Sequence, residues 1–309
     1  MENKLRDIFR DYARKEFIFV KPGGNFGDDL IYFGAESLAK ELGLIFKTYS
    51  ISEFKDVTEL KNKVIYIHGG GAFNEWCSEG GWSALEKACS FNCPVIYGPC
   101  SVGENPDFLN HKFKKCINNN KSESVIIFAR EEYTYNTLIS LPSLKHEFIN
   151  INQDIDTAFH LTKEIIEARV GRGKRAYDFY AFREDNEGCA QSHEVNYNNV
   201  MFDPAKRCQS FEHWMRVHLY ANKIITNRTH SSIIGAILKK KTYLFEGRYH
   251  KNKSIHKEVL DNMGVQWLEP NEAISLAKKG MLNAILPAFI KNSWRIRSFF
   301  LYMNSVPLK

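Results

Sequence analysis

Short apolar runs ending in polar or glycine-rich turns recur along the chain, and several are followed by apolar positions at helical spacing. Phe17-Ile18-Phe19-Val20 runs into a loop over 21–29, after which Leu30, Phe33, Leu38 and Leu42 mark a helix closed by Gly43. Val64-Ile65-Tyr66-Ile67 leads into His68-Gly69-Gly70-Gly71-Ala72-Phe73, read as a loop, with a helix from about 83 to 88. Residues 94–99 and 125–129 give two more strands, the second delivering Arg130-Glu131-Glu132 to a helix start. The stretch from 147 to 159 reads as the last edge of this domain, and the charged segment 164–175 as the boundary. Beyond it come a strand over 177–182, a helix over 211–220 with Trp214, Val217 and Leu219 inward, and a strand ending at Thr226. Ile233, Ile234 and Ile237 place a helix after Ser231, and residues 242–245 form another strand.

Strand, turn and helix alternating in both halves predict an α/β protein. The arrangement expected is two doubly wound Rossmann-like domains, 1–170 and 171–309, facing each other across a cleft. The segment 281–309 has Ala284, Ile285, Ala288, Phe289 and Trp294 on one side, which predicts a helix packed across the domains and back onto the first. A peripheral membrane contact is the alternative there, because Trp294, Phe299, Phe300 and Tyr302 lie among Lys291, Arg295 and Arg297.

Composition narrows the classes. With 309 residues, 44% hydrophobic and 25% charged, the chain is an ordinary globular protein of two-domain length. The net charge of +6 is scattered along it, so no nucleic-acid partner is expected. Seven cysteines include no C-x-x-C pair, and no metal-ligand cluster is visible, so no metal is expected and activity should survive a chelator. The charged start lacks a signal-peptide core and no apolar run reaches the ~20 residues a bilayer requires. The expected location is the cytoplasm, or the inner face of the membrane if the C-terminal segment binds there.

The strongest chemical signal is the turn Asn227-Arg228-Thr229-His230. It carries a fixed cation and an imidazole beside the unpaired N–H groups of a helix start, a cradle for phosphate or carboxylate with a proton donor attached. The alternative for His230 is an ordinary capping or buried histidine. The glycines of 23–27 do not fit G-x-G-x-x-G, which argues against a nicotinamide site; they either admit a ligand or only turn the chain. His-Gly-Gly-Gly has the form of a lipase oxyanion loop, yet no G-x-S-x-G elbow follows, so binding is favoured over nucleophilic catalysis.

Five stretches, Gly24-Asn25-Phe26-Gly27-Asp28-Asp29, His68 to Phe73, Ala129-Arg130-Glu131, Asp156-Thr157-Ala158-Phe159 and Thr226-Asn227-Arg228-Thr229-His230, occur in the order seen in the polysaccharide pyruvyltransferase family. The chain resembles that family from about Phe17 to about Glu269. The resemblance implies a glycosyltransferase-B-like fold, phosphoenolpyruvate as donor substrate without a further cofactor, and a saccharide diol as acceptor. By position it implies that Arg228 and Arg183 bind the donor and that His230 is catalytic, with Ser231 and Arg130 further donor-side candidates. For Arg130, pairing with a neighbouring acid at the surface is the alternative. Asp28 would face the acceptor as base or contact, or else cap the following helix; Gly24, Asn25, Gly27, Gly70 and Gly71 would lie on that same side. Asn227 stands where the family has an acid and Ser231 where it has glycine. Two other classes remain open: a nucleotide-sugar-dependent glycosyltransferase, and a non-catalytic carbohydrate-binding relative.

Overall fold

The computed structural model describes residues 4–77, 79–174, 176–184 and 199–269. The proposed C-terminal helix, its membrane alternative and Cys189 lie outside the described residues. The chain divides into two compact units, Met1–His160 and Leu161–Lys309.

In the first unit the elements run α1 (Lys4–Asp11), β1 (Glu16–Lys21), α2 (Phe26–Glu41), β2 (Phe46–Ser50), α3 (Ile51–Lys55), β3 (Lys63–Ile67), β4 (Gly70–Phe73), α4 (Gly80–Cys89), β5 (Val95–Val102), α5 (Pro106–Ile117), β6 (Val125–Ala129), α6 (Glu132–Ser140) and β7 (Ile149–Gln153). The strands form one parallel sheet in the order β2-β1-β3-β5-β6-β7, with β4 paired to β5. Period-two alternation sorts its side chains. Ile18, Val20, Ile65, Ile67, Val95, Tyr97, Val125 and Ile127 share one core with residues of α4 and α5. Phe17, Phe19, Val64, Tyr66, Ile96, Ile126 and Phe128 share the other with α1 and α2. Strands covered on both faces read as unbroken apolar runs, which is why the sequence announces them.

The second unit contains α7 (Lys163–Val170), β8 (Tyr177–Ala181), β9 (Asn199–Met201), α8 (Pro204–Arg207), α9 (Phe211–Leu219), β10 (Ala221–Thr226), α10 (Thr229–Ile237), β11 (Lys241–Phe245), α11 (Lys251–Ile255) and β12 (Gln266–Leu268). Its sheet is also parallel, in the order β12-β11-β10-β8-β9.

Three expectations differ from what is found. The break falls between His160 and Leu161, ten residues before the expected 170/171. The segment read as a boundary contains α7, which is tied to α9: Arg169 pairs with Glu212 at 2.7 Å, and Arg216 Nε donates to the Val170 carbonyl at 3.2 Å. Residues 70–73, read as loop, pair with the end of β5 as β4. β2 had no apolar run to announce it, because its residues are half-exposed or exposed at the sheet edge.

In each sheet the strand order reverses direction once, between β1 and β3 and between β8 and β10. Loops leaving the carboxyl ends of such a pair diverge to opposite faces and open a crevice, the usual ligand position in an open α/β sheet. Close packing holds the first crevice in place, since a Cβ on Gly34 of α2 would stand 2.0 Å from the Thr157 carbonyl oxygen. Gly34→Ala is therefore expected to lower stability by about 1–3 kcal/mol. The check is a lower urea midpoint with an unchanged denaturant slope.

Candidate functional site

At the first unit's reversal, the loops after β1 and β3 meet around Asp28. Asn25 is the N-cap of α2: its Oδ1 accepts the Gly27 N–H at 2.8 Å, while Asp28 Oδ2 accepts the Asn25 N–H at 2.8 Å. Asp28 is thus the third helical residue of a capping box and not the cap itself. Its carboxylate lies between two glycines with positive φ. A Cβ on Gly24 (φ +139°) would meet Asp28 Oδ2 at 2.2 Å, and one on Gly70 (φ +133°) would meet Oδ1 at 3.1 Å. Only glycine at position 24 lets the chain pass so close to that oxygen. The structure therefore brings together Gly24, Asn25, Gly27, Asp28 and Gly70. The Gly71 carbonyl accepts from Asn74 Nδ2 at 2.7 Å.

His68, first residue of the glycine run, is buried against the rings of Phe19, Tyr32 and Tyr66. Burial, with Lys21 nearby, holds its pKa well below the usual imidazole value, so it is a neutral core side chain.

Arg130 leaves the end of β6 and is held inside the protein through two of its guanidinium nitrogens. Its Nη1 pairs with Asp156 Oδ2 at 2.7 Å and its Nε donates to Ser101 Oγ at 2.7 Å, with both charged side chains 1% exposed. Asp156 Oδ1 also accepts the Ala158 N–H at 2.9 Å, and Thr157 Oγ1 donates to the Ile31 carbonyl at 2.9 Å. Arg130 therefore serves as a buried tie between the loops after β6 and β7. The alternative of a surface pairing with a neighbouring acid does not describe it, because its partner Asp156 is buried and 26 residues away.

At the second unit's reversal, β8 delivers Arg183 and β10 delivers Asn227 through His230. The Arg183 N–H donates to Asn227 Oδ1 at 2.8 Å, joining the two loops directly. That bond fixes the amide orientation, and the buried Asn227 Nδ2 has no protein acceptor. Asn252 clamps the turn from outside: its Nδ2 donates to the carbonyls of Asn227 at 2.8 Å and Phe245 at 3.0 Å, and its Oδ1 accepts from Thr229 Oγ1 at 2.5 Å. Arg228 is the N-cap of α10, where no side chain caps the helix. The first-turn N–H groups and the positive end of the dipole are then available to an anion.

Two of Arg228's guanidinium nitrogens are taken by the protein. Nε and Nη2 bind Asp203 Oδ1 and Oδ2, both at 2.5 Å, with the side chains 8% and 0% exposed. Asp203 further accepts the N–H groups of Glu184 at 3.0 Å and Ala205 at 3.1 Å. Ser231 is likewise engaged, its Oγ 2.9 Å from His218 Nε2. Because His218 Nδ1 faces the Trp214 carbonyl at 2.7 Å, it carries the ring proton, and Nε2 accepts from the serine. Burial lowers His218's pKa to about 3, which keeps that tautomer neutral. His230, by contrast, is half-buried at the start of α10 beside these groups.

The family model described as polysaccharide pyruvyl transferase matches residues 25–247, well over half of the chain and every residue of both clusters except Gly24 and Asn252. The chain belongs to the polysaccharide pyruvyl transferase family. Membership makes it a transferase of pyruvyl groups to polysaccharide. Among solved structures, an uncharacterized protein from Klebsiella pneumoniae subsp. pneumoniae NTUH-K2044 is 18% identical, covers 86% of this chain and 97% of its own, and has a TM-score of 0.64, a likeness of fold. The wall teichoic acid polymerase TagF, in two variants, covers 99% of this chain and 88% of its own at 13% and 12% identity, with TM-scores of 0.36 and 0.37. No curated protein sequence matches significantly. No helix among the described residues is long and apolar enough to cross a membrane, and none of their His, Cys, Asp and Glu side chains form a metal-binding group.

Sequence reasoning for this pyruvyl transferase missed three residues. Asp203 had a signal in the Asp203-Pro204 pair, the signature of a helix cap. His218 sits one helical turn from Trp214 on the buried side of α9, a position that spacing reveals only as core. Asn252 had no signal.

Two consequences can be measured. Asp203→Ala leaves the Arg228 charge buried without its partner and is expected to cost about 3–5 kcal/mol, read from the urea midpoint. Protonating His218 requires breaking the bond from Ser231, and its folded pKa lies below the ordinary ~6.5. The unfolded chain therefore binds the proton first, so the contribution is complete above ~6.5 and falls as pH drops toward about 3. Between pH 7 and 5, His218→Gln is expected to lose roughly 2 kcal/mol less stability than the parent, as measured by denaturant titration.

Proposed function

We propose that the protein transfers pyruvate from phosphoenolpyruvate to a saccharide diol, giving a pyruvate ketal and phosphate. The reading is carried by the convergence of Arg183, Asn227, His230 and the uncapped start of α10 at one sheet reversal, within the family-matched segment. Phosphoenolpyruvate bears a carboxylate and a phosphate. A guanidinium binds either in bidentate fashion, and helix-start N–H groups suit phosphate. Arg183 is the donor-binding arginine in this proposal; Arg228, held by Asp203, sets the turn's shape. Ser231 fixes the first turn of α10 through His218.

In the reaction a proton goes to the donor's methylene carbon, making C2 electrophilic. One sugar hydroxyl adds to C2 and gives up its proton, the C2–O bond to phosphate breaks, and a neighbouring hydroxyl closes the ketal with loss of the second proton. His230 is the proposed acid for the first step, an imidazole being suited to proton transfer near neutrality. Asp28 and the glycine loops of the first unit receive the acceptor, with Asp28 taking a hydroxyl proton. The acceptor saccharide is a segment of polysaccharide or a lipid-linked precursor.

Purified protein given phosphoenolpyruvate and a panel of saccharides is expected to release phosphate only when an acceptor is present. The product should gain one pyruvyl unit by mass. Release with no acceptor dependence, or none with any acceptor, overturns the reading. A folded His230→Ala protein is expected to lose roughly 100- to 10,000-fold in kcat; transfer at the parental rate would remove the acid assignment.

A further inference from the structure

The loops at the amino edge of β6 and β7, opposite the edge that carries the glycine loops, line an open cavity of about 620 Å³. Its walls come from the end of α5 and the segments that precede the two strands. They include Asn110, Lys114, Asn120, Ser143, His146 and Phe148. We propose that this cavity is a second saccharide-binding site, which holds a polysaccharide segment away from the reacting sugar.

The size lies within the range of small-molecule sites, about 300–1,000 Å³. The lining chemistry suits a hydroxyl-rich ligand, neutral or anionic. Amides, a serine and one lysine supply donors and acceptors, and no carboxylate is among the lining residues. Ser143 is 8% exposed, and its Oγ is a buried hydroxyl without a protein partner, which has a cost unless a ligand or solvent group meets it. Its backbone N–H donates to Asn110 Oδ1 at 2.9 Å, so Asn110 is oriented with its Nδ2 as a remaining donor. Asn120 is held by Ser122 in both directions, its Nδ2 donating at 3.2 Å and its Oδ1 accepting at 3.3 Å. The polar groups are therefore set before any ligand arrives, which lowers the ordering cost of binding. His146 and Phe148 stack at 5.2 Å with 27° between their planes, a flat surface of the kind that takes the C–H face of a pyranose.

The choice of a saccharide rests on the reading of the protein as a transferase acting on polysaccharide. A polymer has many sugars beyond the one that reacts. A second weak site on the same chain raises the local concentration of the first.

The test uses the full chain with tetrasaccharides of glucose, galactose and mannose, observed through backbone amide shifts. At least one probe is expected to shift amides in 114–120 and 143–148 at roughly 10 mM or below. His146→Ala, at an exposed position, is expected to weaken that binding about 3- to 10-fold. Ser143→Ala removes an unpartnered hydroxyl, so it should weaken binding while leaving the melting temperature unchanged or raised. No probe shifting these amides, or binding unaltered in both variants, overturns the proposal. Binding here without phosphate release from phosphoenolpyruvate would leave this site standing and the transfer reading fallen. Turnover on a saccharide with no shifts here would do the reverse.

Discussion

In each unit a buried arginine–carboxylate pair holds the loops that leave the carboxyl edge of a parallel sheet. Arg130 and Asp156 join the loops after the neighbouring strands β6 and β7. Arg228 and Asp203 join the loops after β10 and β9, which flank β8. Burying two charges costs several kcal/mol per ion, and mutual attraction offsets that only when the remaining hydrogen-bonding capacity is also filled. Both pairs have further hydrogen bonds that supply part of this. Asp156 takes the Ala158 N–H and Arg130 reaches Ser101, while Asp203 takes two more backbone N–H groups. Loops fixed this way can hold polar groups at a crevice without a layer of apolar packing above them.

This constraint redistributes the chemistry. An arginine at a strand end reads in sequence as a ligand contact, and Arg130 and Arg228 turn out to have carboxylate partners inside the protein. The second unit's reversal also carries Arg183, the half-buried His230, and a helix start that no side chain caps. Ser231 and His218 look superficially like a nucleophile and base. Both are buried, and their bond packs α9 against α10. The first unit follows the same logic, with His68 confined to the core and Asp28 the side chain that meets both glycine loops.

The strands at 17–20, 64–67, 125–129, 177–182, 224–226 and 242–245 were legible because strands covered on both faces leave an apolar run whatever their neighbours are. β2 was not, since Phe46-Lys47-Thr48-Tyr49-Ser50 at an edge carries no such run, and α7 was hidden by its charges. Turn residues were legible as a group, because a polar stretch between a buried strand and an apolar helix has few other places to be. Their individual duties were not. Arg130 and Asp156 are 26 residues apart in sequence, and Arg228 and Asp203 are 25 apart. Only the strand order makes them neighbours, and strand order is a long-range property that local periodicity does not contain.

Asn227 shows what an amide in place of an acid changes in this turn and what it leaves alone. The side-chain oxygen accepts the Arg183 N–H, a bond that aspartate and asparagine make equally well, so the link between the loops after β8 and β10 survives the exchange. The carbonyl of the same residue is held by Asn252, which does not depend on the side chain at all. The geometry of the turn is therefore indifferent to the substitution. Its electrostatics are not: an acid would place a second buried negative charge near Asp203, whereas the amide places none and adds a donor. The Arg228 charge is already matched by Asp203, and the amide at 227 leaves that pairing undisturbed.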